Sequence, residues 1–276
     1  MTSPDLHHRN KPTRMSEMKG LEDILPFFQP IVDPNKAAHI ALVAPKGCGK
    51  STIALLLMKA RFCQNRNGFD CCNKCETCEE IGNGIGYGRK LHSSYMRTGT
   101  ELDFKLLFQE LSYNCFWGGG PFAWLDDADN FHPGNFDRLQ HYLDIYPNTP
   151  VVLVATDVVK LKPIIESRLR HIPIEYTIDS MKELVISACK VENIPIQQEE
   201  AVYELVRRAA KIPRTILLSL SSIKDLTDSG YKEYKEGLSL KILDHPVIST
   251  NLMKPTGDSR FTIHDNDDDE NRYLDQ

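Results

Sequence analysis

Nine consecutive residues carry the clearest chemistry in the chain: Ala44-Pro45-Lys46-Gly47-Cys48-Gly49-Lys50-Ser51-Thr52, set between an apolar run and a helical one. Apart from Ala44 at the first position they match G-x-x-x-x-G-K-[ST], in which glycines let successive backbone N–H groups turn inward around phosphate oxygens. The helix that starts there adds its own attraction for anions. In such a loop Lys50 bridges the outer phosphates and Ser51 ligates Mg2+, so the stretch predicts binding of ATP. A glycine turn that merely caps a helix is the plainer alternative, but it does not need a Lys-Ser pair in register. Ala44 for glycine is a small change at a strand end.

Phosphoryl chemistry needs a second element, with an acid on the metal side and a group that positions the attacking water. Asp126 ends a short apolar stretch, which is where the metal-side aspartate is expected, and Asp127 follows where a glutamate is usual. An aspartate there holds its carboxylate about 1.5 Å further back, and a misplacement of that size can cost on the order of a hundredfold in rate. ATP binding is therefore better supported than its turnover. A polar loop of helix-capping acids is the alternative for Asp126 to Asp129.

Cys63, Cys72, Cys75 and Cys78 have the spacing C-x8-C-x2-C-x2-C. Two-residue gaps let neighbouring thiolates converge on one ion, and the longer loop brings the fourth round to close a tetrahedron, with no position left open for substrate. The expectation is a structural Zn2+, with an iron–sulfur cluster as the alternative and Cys71 as a substitute for Cys72. Cys48, Cys115 and Cys189 read as ordinary buried thiols.

The elements that must position these groups alternate. Ala38 to Ala44 reads as a buried strand, Lys50 to Phe62 as a helix, Leu91 to Tyr95 as a strand, and Glu101 to Leu111 as a helix. Pro121 to Leu125 is a strand after Gly118 to Gly120, followed by a helix from Pro133 to Leu143. Val151 to Ala155 is the strongest strand, then a helix from Lys160 to Leu169 and a strand from Ile172 to Tyr176. Strands separated by helices imply an α/β fold with a parallel sheet and ligands at its carboxyl edge. Three amphipathic stretches follow: Met181 to Val191, Glu199 to Lys211 and Arg214 to Leu226.

The domain expectation is a disordered arm at 1–20, an α/β nucleotide-binding domain at 21–176 with the cysteine module at 63–78, a small three-helix lid domain at 177–228, and a linker with an acidic tail at 229–276. A short helix near Tyr231 to Leu240 is allowed within that last stretch.

The chain has 276 residues, 41% apolar and 26% charged, close to the soluble average. No run approaches the ~18 apolar residues of a membrane span. The first twenty residues carry positive charge without an apolar stretch, so they do not resemble a secretory signal, and a cytoplasmic location is expected. The net charge of -5 equals the surplus in the last twenty residues, where seven acids face two arginines; the rest of the chain holds 31 residues of each sign. A balanced body lacks the basic excess of a stand-alone DNA binder.

Taken in order, the P-loop, the cysteine insertion after its helix, Arg97-Thr98-Gly99, the acidic strand end, Val152-Leu153-Val154-Ala155-Thr156-Asp157 and Ser167-Arg168-Leu169 resemble the clamp-loader subunits of bacterial DNA polymerase III, the gamma/tau and delta-prime family of AAA+ ATPases. The resemblance spans about Ala38 to Leu226. It implies a P-loop AAA+ sheet with an inserted zinc module and a helical lid, ATP with Mg2+ between them, and partners in the other clamp-loader subunits, a sliding clamp and primer-template DNA. By resemblance Thr156 is sensor 1, which contacts the γ-phosphate or its attacking water. Arg168 stands where the family has the arginine finger offered to ATP on a neighbouring subunit. Arg214, in Ile212-Pro213-Arg214-Thr215, looks like sensor 2. Without the resemblance, Thr156 is a β-favouring residue, Arg168 half of a surface pair with Glu166, and Arg214 a solvated helix residue.

Three features depart from that family. Asp127 replaces the glutamate, the stretch that holds adenine is faint at Gly20-Leu21-Glu22-Asp23, and the third, helical collar domain has no counterpart in the sequence. Two other readings stand beside the clamp-loader ATPase: a non-hydrolysing delta-prime-like scaffold subunit, and another AAA+ remodeller such as a helicase loader.

Overall fold

The structure is a computed structural model that describes residues 6–82, 89–91, 122–161, 167–230 and 234–252. Among these residues one parallel sheet has five strands: β1 (His39–Val43), β2 (Arg89–Leu91), β3 (Ala123–Leu125), β4 (Val151–Ala155) and β5 (Arg170–Pro173), in the order β2-β3-β4-β1-β5. β1 is central, paired in register with β4 (His39 beside Val151) and with β5 (Ile40 beside Arg170).

The strands are apolar on both faces because both are covered. Ile40, Leu42, Val152 and Val154 point into one core with Phe28 and Ile31 of α2 (Leu25–Val32) and Ile53 and Leu57 of α3 (Lys50–Phe62). Their neighbours along the strands, Ala41, Val151, Leu153 and Ala155, point into a second core with Phe136, Leu139 and Leu143. The period of two along a strand thus separates two helix layers.

The helix that carries Phe136 starts after His132, whose ring accepts a bond from the Gly134 N–H at 3.2 Å, with Pro133 in the first turn. Helical spacing places helices at Ile178–Glu192, Glu199–Arg208 and Pro213–Asp228, close to the three amphipathic stretches. The first of them is capped by Thr177, which accepts from Ser180 N–H at 3.1 Å, and ends on Asn193 in the left-handed region.

Three expectations are corrected. The first twenty residues are not a free arm from Leu6 onward. A helix α1 (Leu6–Arg9) and a 3-10 turn (Met15–Glu17) bury Leu6 and Met15 completely or nearly so, because these apolar side chains are spaced to reach the core although the segment is polar on average. The stretch from residue 229 is not all linker: Leu238, Ile242, Leu243, Ile248 and Leu252 are buried against the helical cluster. Ile242 and Leu243 belong to a short helix at Leu240–Leu243, and Ile248 and Leu252 to another at Pro246–Leu252, while Leu238 precedes both; of the helix expected over 231–240, residues 234–239 are not α-helical and 231–233 lie outside the described residues.

The strand expected to begin at Ile172 begins instead at Arg170, because its partner along β1 begins at Ile40. The helix expected from Lys160 to Leu169 falls mostly on 162–166, outside the described residues; at its edges Val158–Lys160 is a 3-10 turn capped by Asp157, and 167–169 are turn and bend. Residues 92–121, 162–166 and 253–276 lie outside the described residues, and with them the rest of the strand expected to 95, the helix expected over 101–111, Arg97-Thr98-Gly99 and Cys115. The acidic tail lies outside them as well. No helix among the described residues is long and apolar enough to cross a membrane.

Numbered in chain order, α4 is Glu76–Gly82, α5 Pro133–Ile145, α6 Ile178–Glu192, α7 Glu199–Arg208, α8 Pro213–Asp228, α9 Leu240–Leu243 and α10 Pro246–Leu252.

Candidate functional site

The loop between β1 and α3 lies at the carboxyl edge of the sheet, where a central strand leaves room between its neighbours for a ligand. Gly47 and Gly49 both take positive φ, +94° and +80°. Glycine is also required by proximity at Gly47, where a Cβ would stand 2.9 Å from Ile212 Cγ2 and 3.0 Å from Arg214 Cβ. The loop is held from outside by two bonds: the Tyr176 hydroxyl donates to the Cys48 carbonyl at 2.9 Å, and the Arg214 N–H donates to the Gly47 carbonyl at 3.3 Å. Burial pushes the Tyr176 phenol well above its ordinary value, which keeps it a donor.

Lys50 is buried, and its ammonium donates to the carbonyls of Ala44 at 2.5 Å and Pro45 at 2.9 Å. Burial lowers its pKa, and the neighbouring Cys48, Asp129, Asp126 and Asp127 oppose that shift. An anion that approached the loop would give this cation a charged partner in place of two neutral carbonyls. Ser51 Oγ stands 3.1 Å from Asp126 Oδ1, although the two are 75 residues apart in sequence. A hydroxyl and a buried carboxylate at that distance offer hard oxygen donors on one side of a Mg2+ ion, so the donor set fits the metal that a P-loop uses.

Asp127 takes a left-handed backbone, φ 52° and ψ 44°. Aspartate visits that region more readily than longer side chains, which accounts physically for Asp rather than Glu at this position. Its neighbour Asp129 went unread in the sequence as more than part of an acidic loop. Its carboxylate accepts the N–H groups of Thr156 at 2.7 Å and Asp157 at 3.0 Å, and so fixes the end of β4.

Two cavities meet at the loop. One, of about 260 Å³, is lined by Lys46, Lys50, Asp126, Asp127, Val154 and residues of the loop. The other, of about 360 Å³, lies between the loop, the helical cluster and the N-terminal segment, with walls that include His7, His8, Met18, Tyr176, Met181 and Leu217. Gly47, Gly49, Ser51, Thr52 and Arg214 border both. Eight of the eleven residues singled out for the nucleotide from the sequence, Lys46, Gly47, Gly49, Lys50, Ser51, Thr52, Asp126 and Arg214, are thereby brought together, with Asp127 beside them. Thr156 stands behind the wall, at the end of β4.

Arg168 is elsewhere. It lies on the turn before β5, with a side chain 29% exposed, and its guanidinium grips Asp144 of α5 through two bonds, Nε to Oδ1 at 2.8 Å and Nη2 to Oδ2 at 3.1 Å. Glu166, the partner considered for it from the sequence, lies outside the described residues; α5 ends beside the turn and presents the Asp144 carboxylate. The two bonds raise the pKa of Arg168 and lower that of Asp144.

The cysteine cluster closes on the far end of α3. Cys63 follows that helix, Cys72 and Cys75 lie on the next loop, and Cys78 is in α4. The four Sγ atoms lie within 4.8 Å of one another. A Zn2+ ion with bonds of about 2.3 Å needs sulfurs ~3.8 Å apart, so the set fits with a small contraction. Backbone N–H groups point at the sulfurs: Cys72 N at Cys63 Sγ (3.2 Å) and Cys75 N at Cys72 Sγ (3.3 Å), an arrangement that stabilises thiolates. Cys71 turns away, to Asn73 Oδ1 at 3.2 Å.

Comparison with known proteins agrees with this architecture. The profile of the family described as DNA polymerase III, delta subunit, matches residues 20–177, more than half of the chain. DNA polymerase III subunit gamma/tau of Mycobacterium tuberculosis is 24% identical over 240 residues, which cover 85% of this chain and 41% of that protein. The gamma/tau subunit of Mycoplasma pneumoniae is 26% identical over 248 residues, 85% of this chain and 31% of that one. The chain thus spans less than half the length of these curated relatives. Among solved structures, RuvB of Thermotoga maritima superposes with a TM-score of 0.58 at 16% identity, covering 88% of this chain and 72% of that one. A chain from a study of katanin self-assembly does so at 0.50 and 15% identity, covering 84% and 81%. At such identities the likeness speaks for the fold alone. The sheet order, the P-loop at its carboxyl edge and the family match together place the chain in the DNA polymerase III delta-subunit family, clamp-loader subunits built on the AAA+ fold.

Proposed function

We propose that the chain is an ATP-binding clamp-loader subunit that helps open a sliding clamp and place it on primed DNA. The observation that carries this reading is the convergence of Gly47, Lys50, Ser51, Asp126 and Arg214 on one cleft. In the reading, the larger cavity takes the base and sugar and the smaller one the phosphates. Lys50 leaves the Ala44 and Pro45 carbonyls for the outer phosphate oxygens, while the loop N–H groups hold the inner ones. Ser51 and Asp126 would hold Mg2+, which would neutralise charge on the phosphates. Asp127 and Thr156 position the attacking water, and Arg214 ties the nucleotide to the helical lid formed by α6, α7 and α8. Cys63, Cys72, Cys75 and Cys78 would hold Zn2+ that ties α3 to α4 and leaves no position open for substrate.

Arg168 acts on the next subunit. Its two-bond grip on Asp144 is the geometry it needs for a phosphate, so a neighbour's nucleotide competes with Asp144 for the same fork. DNA is then gripped by the assembled subunits through its phosphates, which a charge-balanced single chain can share.

The left-handed backbone and short side chain at Asp127 favour a second reading, a non-hydrolysing scaffold of the delta-prime type that still supplies Arg168. In the complex assembled with its partner subunits, Arg168→Ala leaves ATP binding by this chain intact and lowers DNA-stimulated hydrolysis on the order of a thousandfold at the adjoining site. Hydrolysis unchanged by Arg168→Ala removes the proposed role. A wild-type complex in which only the adjoining site turns over selects the scaffold.

A further inference from the structure

The segment from Leu6 to Gly20 crosses the larger cavity as a strap tied at both ends. At its start Arg9 pairs with the buried Glu192 of α6 at 2.9 Å, and Asn10 Nδ2 donates to the same carboxylate at 3.3 Å. At its far end Ser16 meets Asp70 twice, through its N–H to Oδ1 at 2.9 Å and its hydroxyl to Oδ2 at 2.6 Å. The Thr13 carbonyl accepts Asn73 Nδ2 at 2.9 Å, and Glu17 folds back onto the Thr13 N–H at 2.6 Å. Asp70 and Asn73 both lie in the cysteine module, Asp70 in the loop that Cys63 and Cys72 close. Lys59 of α3 also reaches Asn73 at 3.0 Å. His7 and His8 before the first tie, Lys11 between the two, and Met18 and Lys19 just after the second all stand on the cavity wall. Met18 approaches the P-loop so closely that a Cβ on Gly49 would lie 3.1 Å from its methyl.

We propose that the cysteine module anchors the base-side wall of the nucleotide cavity, with Asp70 as the positioning residue, so that loss of the metal or of Asp70 loosens the strap and weakens binding of the nucleoside without touching the phosphate grip. The inference rests on the reading of the cleft as a nucleotide site. Its logic is geometric. The loop that carries Asp70 has no long element of its own: besides the paired backbone bonds between Asn67 and Asp70 and the packing of Phe69 on the core, it is closed by the four sulfurs that gather beside it. The strap in turn has only a four-residue helix and a single 3-10 turn, so its position is set by its ties and by the burial of Leu6 and Met15 rather than by its own backbone bonds. The phosphate side is independent of it, because Lys50, Ser51 and Asp126 are held by the sheet and α3.

The test uses the full chain with its metal and compares wild type, Asp70→Ala and Asp70→Asn, each assayed for zinc content, amide hydrogen exchange over residues 13–19, and affinity for ATP and for inorganic tripolyphosphate. In Asp70→Ala, zinc stays at one per chain, exchange over 13–19 rises at least about tenfold, ATP affinity falls about tenfold and tripolyphosphate affinity is unchanged. Asp70→Asn, which keeps one acceptor for the Ser16 N–H, restores most of the ATP affinity. Removal of the metal by a chelator reproduces the faster exchange over 13–19 and the selective loss of ATP affinity. Unchanged ATP affinity in Asp70→Ala, or an equal loss for ATP and tripolyphosphate, overturns the inference while leaving the nucleotide site in place. A wild-type chain that binds neither ligand overturns the reading of the cleft and this inference with it.

Discussion

The two halves of the cleft are built differently. On the phosphate side, six of the groups that face the ligand come from one stretch, Lys46 to Thr52, and Asp126 and Asp127 arrive at the end of β3, two strands away in the same sheet. On the base side, the walls come from the N-terminal strap, from Tyr176 after β5, and from α6 and α8, segments that meet only in the folded molecule. The phosphate side therefore depends on backbone shape within one loop, and the base side on how well separate elements are tied together. The first is a local property and the second a global one.

That contrast can be broken from either side. The largest effect is expected at Gly47→Val, because a branched Cβ at φ +94° collides with Ile212 and Arg214. Binding of ATP and of tripolyphosphate should both fall by about a hundredfold or more, the scale of an ångström-sized displacement in a tight site. If ATP is lost while tripolyphosphate is kept, the two halves have been assigned the wrong way round. A smaller effect, about tenfold and confined to ATP, is expected from cutting the strap at Asp70, as described above.

The smallest effect lies furthest from the ligand, in the ties of the helical cluster that backs the base-side wall. Glu204 of α7 accepts from Arg207 and Arg208, and Arg208 also reaches Asp244 after α9 at 2.8 Å. The hydrogen bond from Arg207 is the main reason the Glu204 carboxyl titrates at about 2 rather than 4.5, with Arg208 adding to it. A depressed carboxylate stabilises the fold above its unfolded value and loses that contribution as pH falls, so stability should drop between pH 4.5 and about 2. In Glu204→Gln that part of the acid dependence flattens, and neutral stability falls by only about 0.5 to 1 kcal/mol because the pairs are partly in water. Denaturant unfolding of both proteins across that pH range checks the sign. An unaltered acid profile would show that the arginines do not hold the carboxylate in solution.

The same local and global division decides what could be read before the fold was known. Gly47, Gly49, Lys50 and Ser51 are legible because their chemistry is set by neighbours in sequence, and the four cysteines because a metal imposes their spacing. The strands β1 and β4 are legible because burial on both faces makes them apolar throughout. The strap was not, since a polar segment with apolar residues only at Leu6, Met15, Met18 and Leu21 resembles a solvated arm until a cavity is placed beneath it. Its one local sign was Glu17 folding back on the Thr13 and Arg14 N–H groups, a capping pattern ahead of an apolar stretch. Asp129, Tyr176 and the pairing of Arg168 with Asp144 were invisible for a similar reason, because each acts across the sheet or between helices far apart in sequence. The helices α9 and α10 are short, and their apolar residues declare themselves only against the surface they cover.

The central claim is that the loop from Ala44 to Thr52 receives the phosphates of a nucleotide with Lys50 as its charged partner. Calorimetric titration of the full chain with ATP and Mg2+ tests it directly. The account predicts saturable binding of one ATP per chain in the wild type and no detectable binding in Lys50→Ala at the same concentrations, with both proteins equally folded. Binding of equal strength in the two proteins, or none in the wild type, would contradict it.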